Sequence, residues 1–127
     1  MITRRTFLKA CATAPLVAGL PSVATAAAVT PFPLTASKTK KRLVPGDGYQ
    51  DASVWAFNRS VPGPELRFKK GETLSVDFFN QLDEGSSVHW HGIRNINAMD
   101  GVAGLTQPEV MTDGQFRYEF PLKDSGT

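Results

Sequence analysis

The chain has 127 residues, enough for one domain. Its 14 basic and 12 acidic residues give a formal net charge of +2. So small an excess does not indicate a basic surface for nucleic acid, and we predict no nucleic-acid partner.

The first 26 residues are predicted to be an export signal that lies outside the fold. Arg4 and Arg5 are followed by Phe-Leu-Lys and then by an Ala-rich apolar run, which is typical of a twin-arginine signal. Small residues at 24–26 offer a cleavage site after Ala26. An ordinary secretory signal is one alternative. An uncleaved anchor is another, because an uncharged run of ~20 residues can span a bilayer. We predict a periplasmic or secreted protein that meets the membrane only during export.

Cleavage after Ala26 would change both the charge and the cysteine content. Eleven basic and twelve acidic residues would remain, for a net charge near −1. Cys11 is the only cysteine and would be lost with the signal. The mature part could then form neither a disulfide nor a blue-copper centre, which needs a Cys thiolate.

The pattern of the mature part is all-β. Residues 27–37 are small, contain proline and are unpatterned, so we predict a flexible lead-in, with the domain spanning 38–127. No amphipathic pattern of helical length occurs there. About six short strand candidates separated by Gly and Pro turns predict a β-sandwich. The candidates are 43–44, 53–57, 65–68, 73–80 (with Leu74, Val76 and Phe78 on one face), 88–91 and 116–120 (with Phe116, Tyr118 and Phe120 on one face).

The segment 86–93, Ser-Ser-Val-His-Trp-His-Gly-Ile, contains both histidines of the chain. In a strand, successive side chains point to opposite faces. Val88 and Trp90 would therefore pack on the core, while His89 and His91 would project together from the other face. Two adjacent imidazoles are suitable ligands for copper or zinc. A half-exposed strand that happens to carry two histidines is the alternative.

The same segment, followed by Met-Asp-Gly-Val at 99–102 and Gly-Leu-Thr-Gln-Pro at 104–108, resembles the first copper motif of the multicopper oxidases. That family includes laccases, copper-resistance oxidases and periplasmic cuproxidases. From about Val54 onward, the order of features resembles the N-terminal cupredoxin domain of these enzymes. Two turn positions depart from the family pattern: Arg59 stands where Gly is common, and Ala103 where Pro is usual.

The resemblance implies a cupredoxin-like Greek-key β-sandwich, incomplete at its C-terminus, in a truncated oxidase. It implies that His89 binds the type 2 copper and His91 one type 3 copper of a cluster that reduces O2 to water. The missing C-terminal domains would be needed to complete that cluster, so the chain alone would be inactive. Asp100 resembles an acidic residue near the cluster, where it could relay protons or orient a ligand histidine. An Asp-Gly turn is its alternative role.

Other functions are compatible with parts of this pattern. A small periplasmic copper carrier would need more ligands than two histidines. A non-catalytic cupredoxin-like structural protein would not need the histidines at all. A zinc hydrolase would need a third protein ligand, which an Asp or Glu could supply. Met99 and Met111 could contact copper, although methionine more often fills apolar space. Trp90 is predicted to pack in the core.

Overall fold

The computed structural model describes residues 29–126, so the predicted signal, the first residues of the predicted lead-in and Thr127 lie outside the described residues. Within that range, no helix is long and apolar enough to cross a membrane. The regular elements of that range are β1 (Phe32–Lys41), β2 (Ala52–Phe57), β3 (Thr73–Asn80), a 3-10 turn (Asn97–Met99) and β4 (Gln115–Pro121).

The strands form one mixed sheet in the order β2-β1-β3-β4. The β1–β2 and β3–β4 pairs are antiparallel, whereas β1 and β3 are parallel. This arrangement confirms the all-β prediction and the strands predicted at 53–57, 73–80 and 116–120. The parallel pair is the signature of a chain that crosses between layers, as in a Greek-key sandwich.

The prediction of a flexible lead-in over 27–37 is wrong from Phe32 onward, because that segment begins the central strand β1. Pro33 argued against a strand here, because proline is rare in central strands. Phe32 to Thr35 have no β2 partner, and the side chain of Asn58 covers them instead. Asn58 Nδ2 donates to the Pro33 carbonyl at 3.0 Å, and Asn58 Oδ1 accepts the Thr35 N–H at 2.7 Å. The amide side chain thus replaces a strand where proline offers no donor.

Two further strand predictions are also wrong. Leu43 and Val44 follow the end of β1 and are 54% and 45% exposed. Residues 65–68 join no strand of the described sheet. Both segments have apolar residues but pair with no strand of the described sheet. Apolar composition without a pairing partner does not make a strand.

The core lies on one face of the sheet, where side chains of paired strands meet in rows. Leu34 of β1 is opposite Phe78 of β3, which is opposite Phe116 of β4. Val76 is opposite Tyr118 in the next row, and both are fully buried. The predicted alternation of β3 and β4 is therefore confirmed.

The second layer is built from the irregular residues 81–114, which supply Leu82, Val88 and Val110 to the core. Asn80, at the end of β3, is fully buried and anchors this layer. Its Nδ2 donates to the carbonyls of Glu84 at 2.7 Å and Val110 at 2.8 Å. The layer therefore has a fixed position over the sheet, and the histidine segment lies within it.

Candidate metal centre

The two histidines project from the same side of the segment 87–91. Val88 is buried and Trp90 packs against the core, whereas His89 and His91 are both exposed. The centroids of the two imidazole rings are 5.6 Å apart, and the ring planes meet at 75°. The predicted alternation of side chains is therefore confirmed.

The predicted strand at 88–91 is wrong, because these residues pair with no strand, and only Ser86 just before them forms a bridge, with Val110. The segment is anchored by single bonds to three places instead of by a ladder. Ser87 Oγ donates to the Gly101 carbonyl at 2.7 Å. The Val88 N–H donates to the Tyr118 hydroxyl at 2.9 Å, and the Trp90 N–H to the Asp100 carbonyl at 3.4 Å. These bonds keep the segment extended without a partner strand.

Gly101 allows the following loop to lie directly against this segment. Its φ is +77°, a left-handed value that glycine adopts without strain. A Cβ built there would lie 1.7 Å from the Val88 carbonyl oxygen and 3.1 Å from His89 Cα. Only glycine fits this contact, which brings the carbonyl of Asp100 to the imidazole of His89.

That carbonyl determines which nitrogen of His89 is free. His89 Nδ1 is 2.8 Å from the Asp100 carbonyl oxygen, which can only accept a hydrogen bond. The proton of the neutral ring is therefore on Nδ1, and Nε2 keeps its lone pair for a metal ion. A backbone carbonyl bonded to the second nitrogen is a common way of orienting a ligand histidine.

The side chain of Asp100 lies at the edge of the same site. Asp100 Oδ2 is 3.5 Å from His89 Nδ1, and Oδ1 accepts a hydrogen bond of 3.2 Å from Asn95 Nδ2. The structure therefore brings Asp100 and His89 together, with the backbone of Asp100 making the shorter contact. The role of the Asp100 carboxylate, as a proton relay or as an orienting group, stays a prediction.

Met99, Met111 and Trp90 lie on the protein side of this centre or away from it. Met99 packs against the core, and its Sδ accepts the Glu119 N–H at 3.5 Å. Met111 is 64% exposed. Trp90 packs edge-on against Tyr118 and Phe120, with centroids 5.5 and 5.7 Å apart, as expected for a core residue. Among the described residues, no group of three or more His, Cys, Asp or Glu side chains is arranged to hold a metal ion.

An ion pair joins the segment that follows the two histidines to the region after β4. Arg94 donates to both carboxylate oxygens of Asp124, at 2.8 and 2.9 Å. These hydrogen bonds lower the pKa of Asp124 below its usual range. Both side chains are more than half exposed, so the pair orients the segment more than it stabilises the fold.

Burial raises the pKa of Tyr118 above its ordinary value of 10.0, although hydrogen bonds with Val88 and Gln107 partly oppose this shift. The unfolded chain therefore loses the phenolic proton at a lower pH than the folded chain does. Stability from this group is complete below about pH 10 and is lost as the pH rises toward the folded pKa.

We expect the Tyr118→Phe variant to lose this part of the pH dependence. Unfolding by urea from about pH 9 to about pH 11 should show a steeper loss of stability in the parent than in the variant. Tyr49→Phe is the matched control, because Tyr49 is the only other tyrosine and is 55% exposed. Equal slopes for the parent and Tyr118→Phe would contradict this expectation.

Sequence reasoning missed the residues that hold the histidines in place. Tyr118 was predicted only as a core residue, although a buried tyrosine usually needs a partner for its hydroxyl. Ser87 and Gly101 had no local signal, because their partners are 14 and 13 positions away along the chain. The role of the Asp100 carbonyl could not be predicted either. Every residue has a backbone carbonyl, and only the folded conformation decides which one faces His89.

Comparison with known proteins gives the class of the fold. The fold matches that of Lac15 from a marine microbial metagenome, with a TM-score of 0.72 and 43% identity over 76% of this chain and 26% of that one. A multi-copper oxidase from Pseudomonas thermotolerans matches with a TM-score of 0.72 and 38% identity, over 80% of this chain and 24% of that one. The class is therefore that of cupredoxin-like copper oxidase domains.

The sequence gives the family. The family model described as multicopper oxidase matches residues 38–127, and the chain belongs to the multicopper oxidase family. A copper resistance protein A homolog of Pseudomonas syringae pv. tomato is 33% identical over 98% of this chain and 23% of its own length. Laccase-1 of Cryptococcus neoformans is 39% identical over 78% of this chain and 17% of its own length. The chain thus spans about a fifth of the length of these relatives.

Membership of this family implies copper as the cofactor, and the site fits that metal in part. Two exposed imidazoles, one of them oriented through Nδ1, are ligands that copper accepts. Two side chains do not fill the coordination sphere of a copper ion. The described residues therefore fit a contribution to a copper site.

Proposed function

We propose that this chain supplies His89 and His91 to a copper cluster of an exported multicopper oxidase that reduces O2 to water. The observation that supports this most is the orientation of the pair: both rings are exposed side by side, and the Asp100 carbonyl directs Nε2 of His89 outward. In the proposed assignment, His89 binds the type 2 copper and His91 a type 3 copper. Copper, when bound, supplies the redox chemistry.

The chain's own contribution is to hold and orient ligands. The core residues Val88 and Trp90 fix the side of the segment that faces the protein, so the imidazoles cannot turn inward. The carbonyl of Asp100 holds the proton of His89 on Nδ1. The remaining ligands would come from further domains of a full-length enzyme, in keeping with the length of the relatives. That a carboxylate at position 100 relays protons stays a prediction.

Export belongs to the same proposal. The twin-arginine pattern at residues 3–9 supports translocation to the periplasm or the exterior. A copper carrier and a non-catalytic cupredoxin-like protein are less well supported, because the relatives described above carry the names of laccases and of a copper resistance protein.

Copper titration of the purified chain tests the proposal. All variants should carry Cys11→Ser, because a free thiol would itself bind copper. We expect His89→Ala and His91→Ala each to weaken copper binding by at least about 10-fold, since loss of an orienting contact alone has an effect of that size. The double variant should lose the specific site and its imidazole signature in electron paramagnetic resonance.

Met111→Ala is the matched control, because Met111 is the exposed thioether of the same layer. It should bind copper as tightly as the Cys11→Ser parent. Unchanged affinity in the double histidine variant would overturn the copper assignment.

A further inference from the structure

We propose that the hydroxyl group of Tyr118 positions the imidazole pair. This inference rests on the proposed function, because it assigns a role toward His89 and His91 as ligands. Tyr118 contacts no ligand atom itself and acts through the backbone of the segment between the rings and the core.

Tyr118 contacts the residues on both sides of His89 in the chain. Its hydroxyl accepts the Val88 N–H at 2.9 Å, and its ring packs edge-on against Trp90 at a centroid distance of 5.5 Å. Val88 and Trp90 are the two neighbours of His89 in the chain. Tyr118 is fully buried at the centre of β4, so the sheet gives this anchor a fixed position.

The hydroxyl is the part of Tyr118 that the core does not require. The rows of the sheet need an aromatic ring at this position, and phenylalanine would fill it. The N–H of Val88, however, belongs to a segment without a partner strand and has the hydroxyl as its acceptor. Without the hydroxyl, this buried N–H would be unpaired and the segment would shift toward another acceptor or water.

Tyr118→Phe in the Cys11→Ser chain tests this role by two readouts that need no copper. The ¹⁵N shifts of the imidazoles report which nitrogen of His89 carries the proton, and hydrogen exchange reports the protection of the Val88 amide. We expect loss of the Nδ1–H preference of His89 and at least about 10-fold faster exchange at Val88, because the amide loses its acceptor. Copper affinity should fall about 10-fold.

Leu34→Val is the control for a merely structural effect, because it trims a buried core side chain on β1 without removing a hydrogen bond. It should leave the imidazole shifts and the Val88 exchange unchanged. Should Tyr118→Phe not fold, hydrogen exchange of the parent decides. The Val88 amide should then be protected as strongly as the amides of β4, and exchange at the rate of an exposed amide would overturn the inference.

The outcomes separate this inference from the proposed function. A parent chain that binds no copper overturns the proposed function. The positioning role is then still tested by comparing the imidazole shifts of the parent with those of Tyr118→Phe. A parent that binds copper, with unchanged shifts and affinity in Tyr118→Phe, overturns the positioning role alone. Equal effects in Leu34→Val would also overturn it, since a general loosening of the core would then explain the result.

Discussion

Replacement of Gly101 by alanine is expected to destabilise the fold by at least about 3 kcal/mol, a large part of the 5–15 kcal/mol typical of a domain. The new Cβ would lie 1.7 Å from the Val88 carbonyl oxygen. No side-chain rotation can relieve this contact, because the backbone fixes the position of the Cβ and the carbonyl is itself a backbone group. The left-handed φ of +77° adds about 1–2 kcal/mol of strain. Urea unfolding followed by circular dichroism measures the loss.

Gly104→Ala separates the two causes. Gly104 has nearly the same φ, +73°, but nothing lies within 4 Å of a Cβ built there. This variant should lose only the roughly 1–2 kcal/mol of backbone strain. Equal losses for the two variants would show that the loop 99–101 does not press on the histidine segment.

The Gly101→Ala variant should also change the metal centre if enough of it folds to be examined. Moving the loop away from Val88 moves the Asp100 carbonyl away from His89 Nδ1. The ¹⁵N shifts of His89 should then show a mixture of tautomers. A retained Nδ1–H preference would mean that another group orients the ring.

Replacement of Phe78 by alanine is expected to cost about 3–5 kcal/mol, the range for large-to-small changes at a buried phenylalanine. Phe78 is fully buried in the C-terminal half of β3 and lies edge-on to Phe57 at a centroid distance of 6.4 Å. It also faces Tyr118 at 6.5 Å, so the cavity would open beneath the second layer. The same urea experiment measures the change.

Phe79→Ala is the matched control on the same strand. Phe79 points to the opposite face of the sheet and is only partly buried. Folding removes less apolar surface of Phe79 from water than of Phe78. Truncation of Phe79 should therefore lower the free energy of unfolding by less than about 1.5 kcal/mol. A larger loss at Phe79 than at Phe78 would contradict the assignment of the core to the other face.

Most of the sheet could be predicted from the sequence, and the reasons for the failures are specific. The run 73–80 is predicted within its observed bounds, because its apolar residues alternate and polar turns flank it. The segment 32–37 could not be predicted as a strand, because its partner β3 begins more than 35 residues later and Asn58 compensates for Pro33. Pairing over such a distance has no local signal.

The candidate site divides in the same way. That His89 and His91 share an exposed side follows from their spacing, since side chains alternate in any extended segment and Val88 and Trp90 are the apolar pair. That alternation does not depend on a partner strand, which is why it holds although the predicted strand does not form. The resemblance to the multicopper oxidases likewise needed only the order of residues.

The amino-acid sequence by itself therefore determined the family, the all-β class and the side from which the two imidazoles project. Only the tertiary structure decided how those imidazoles are held: the Asp100 carbonyl lies 11 residues from His89, and the Tyr118 hydroxyl 30 residues from Val88. The physical reason is that alternation is a local property of an extended backbone. A hydrogen bond between distant residues, by contrast, exists only once the sheet and the loop have been packed together.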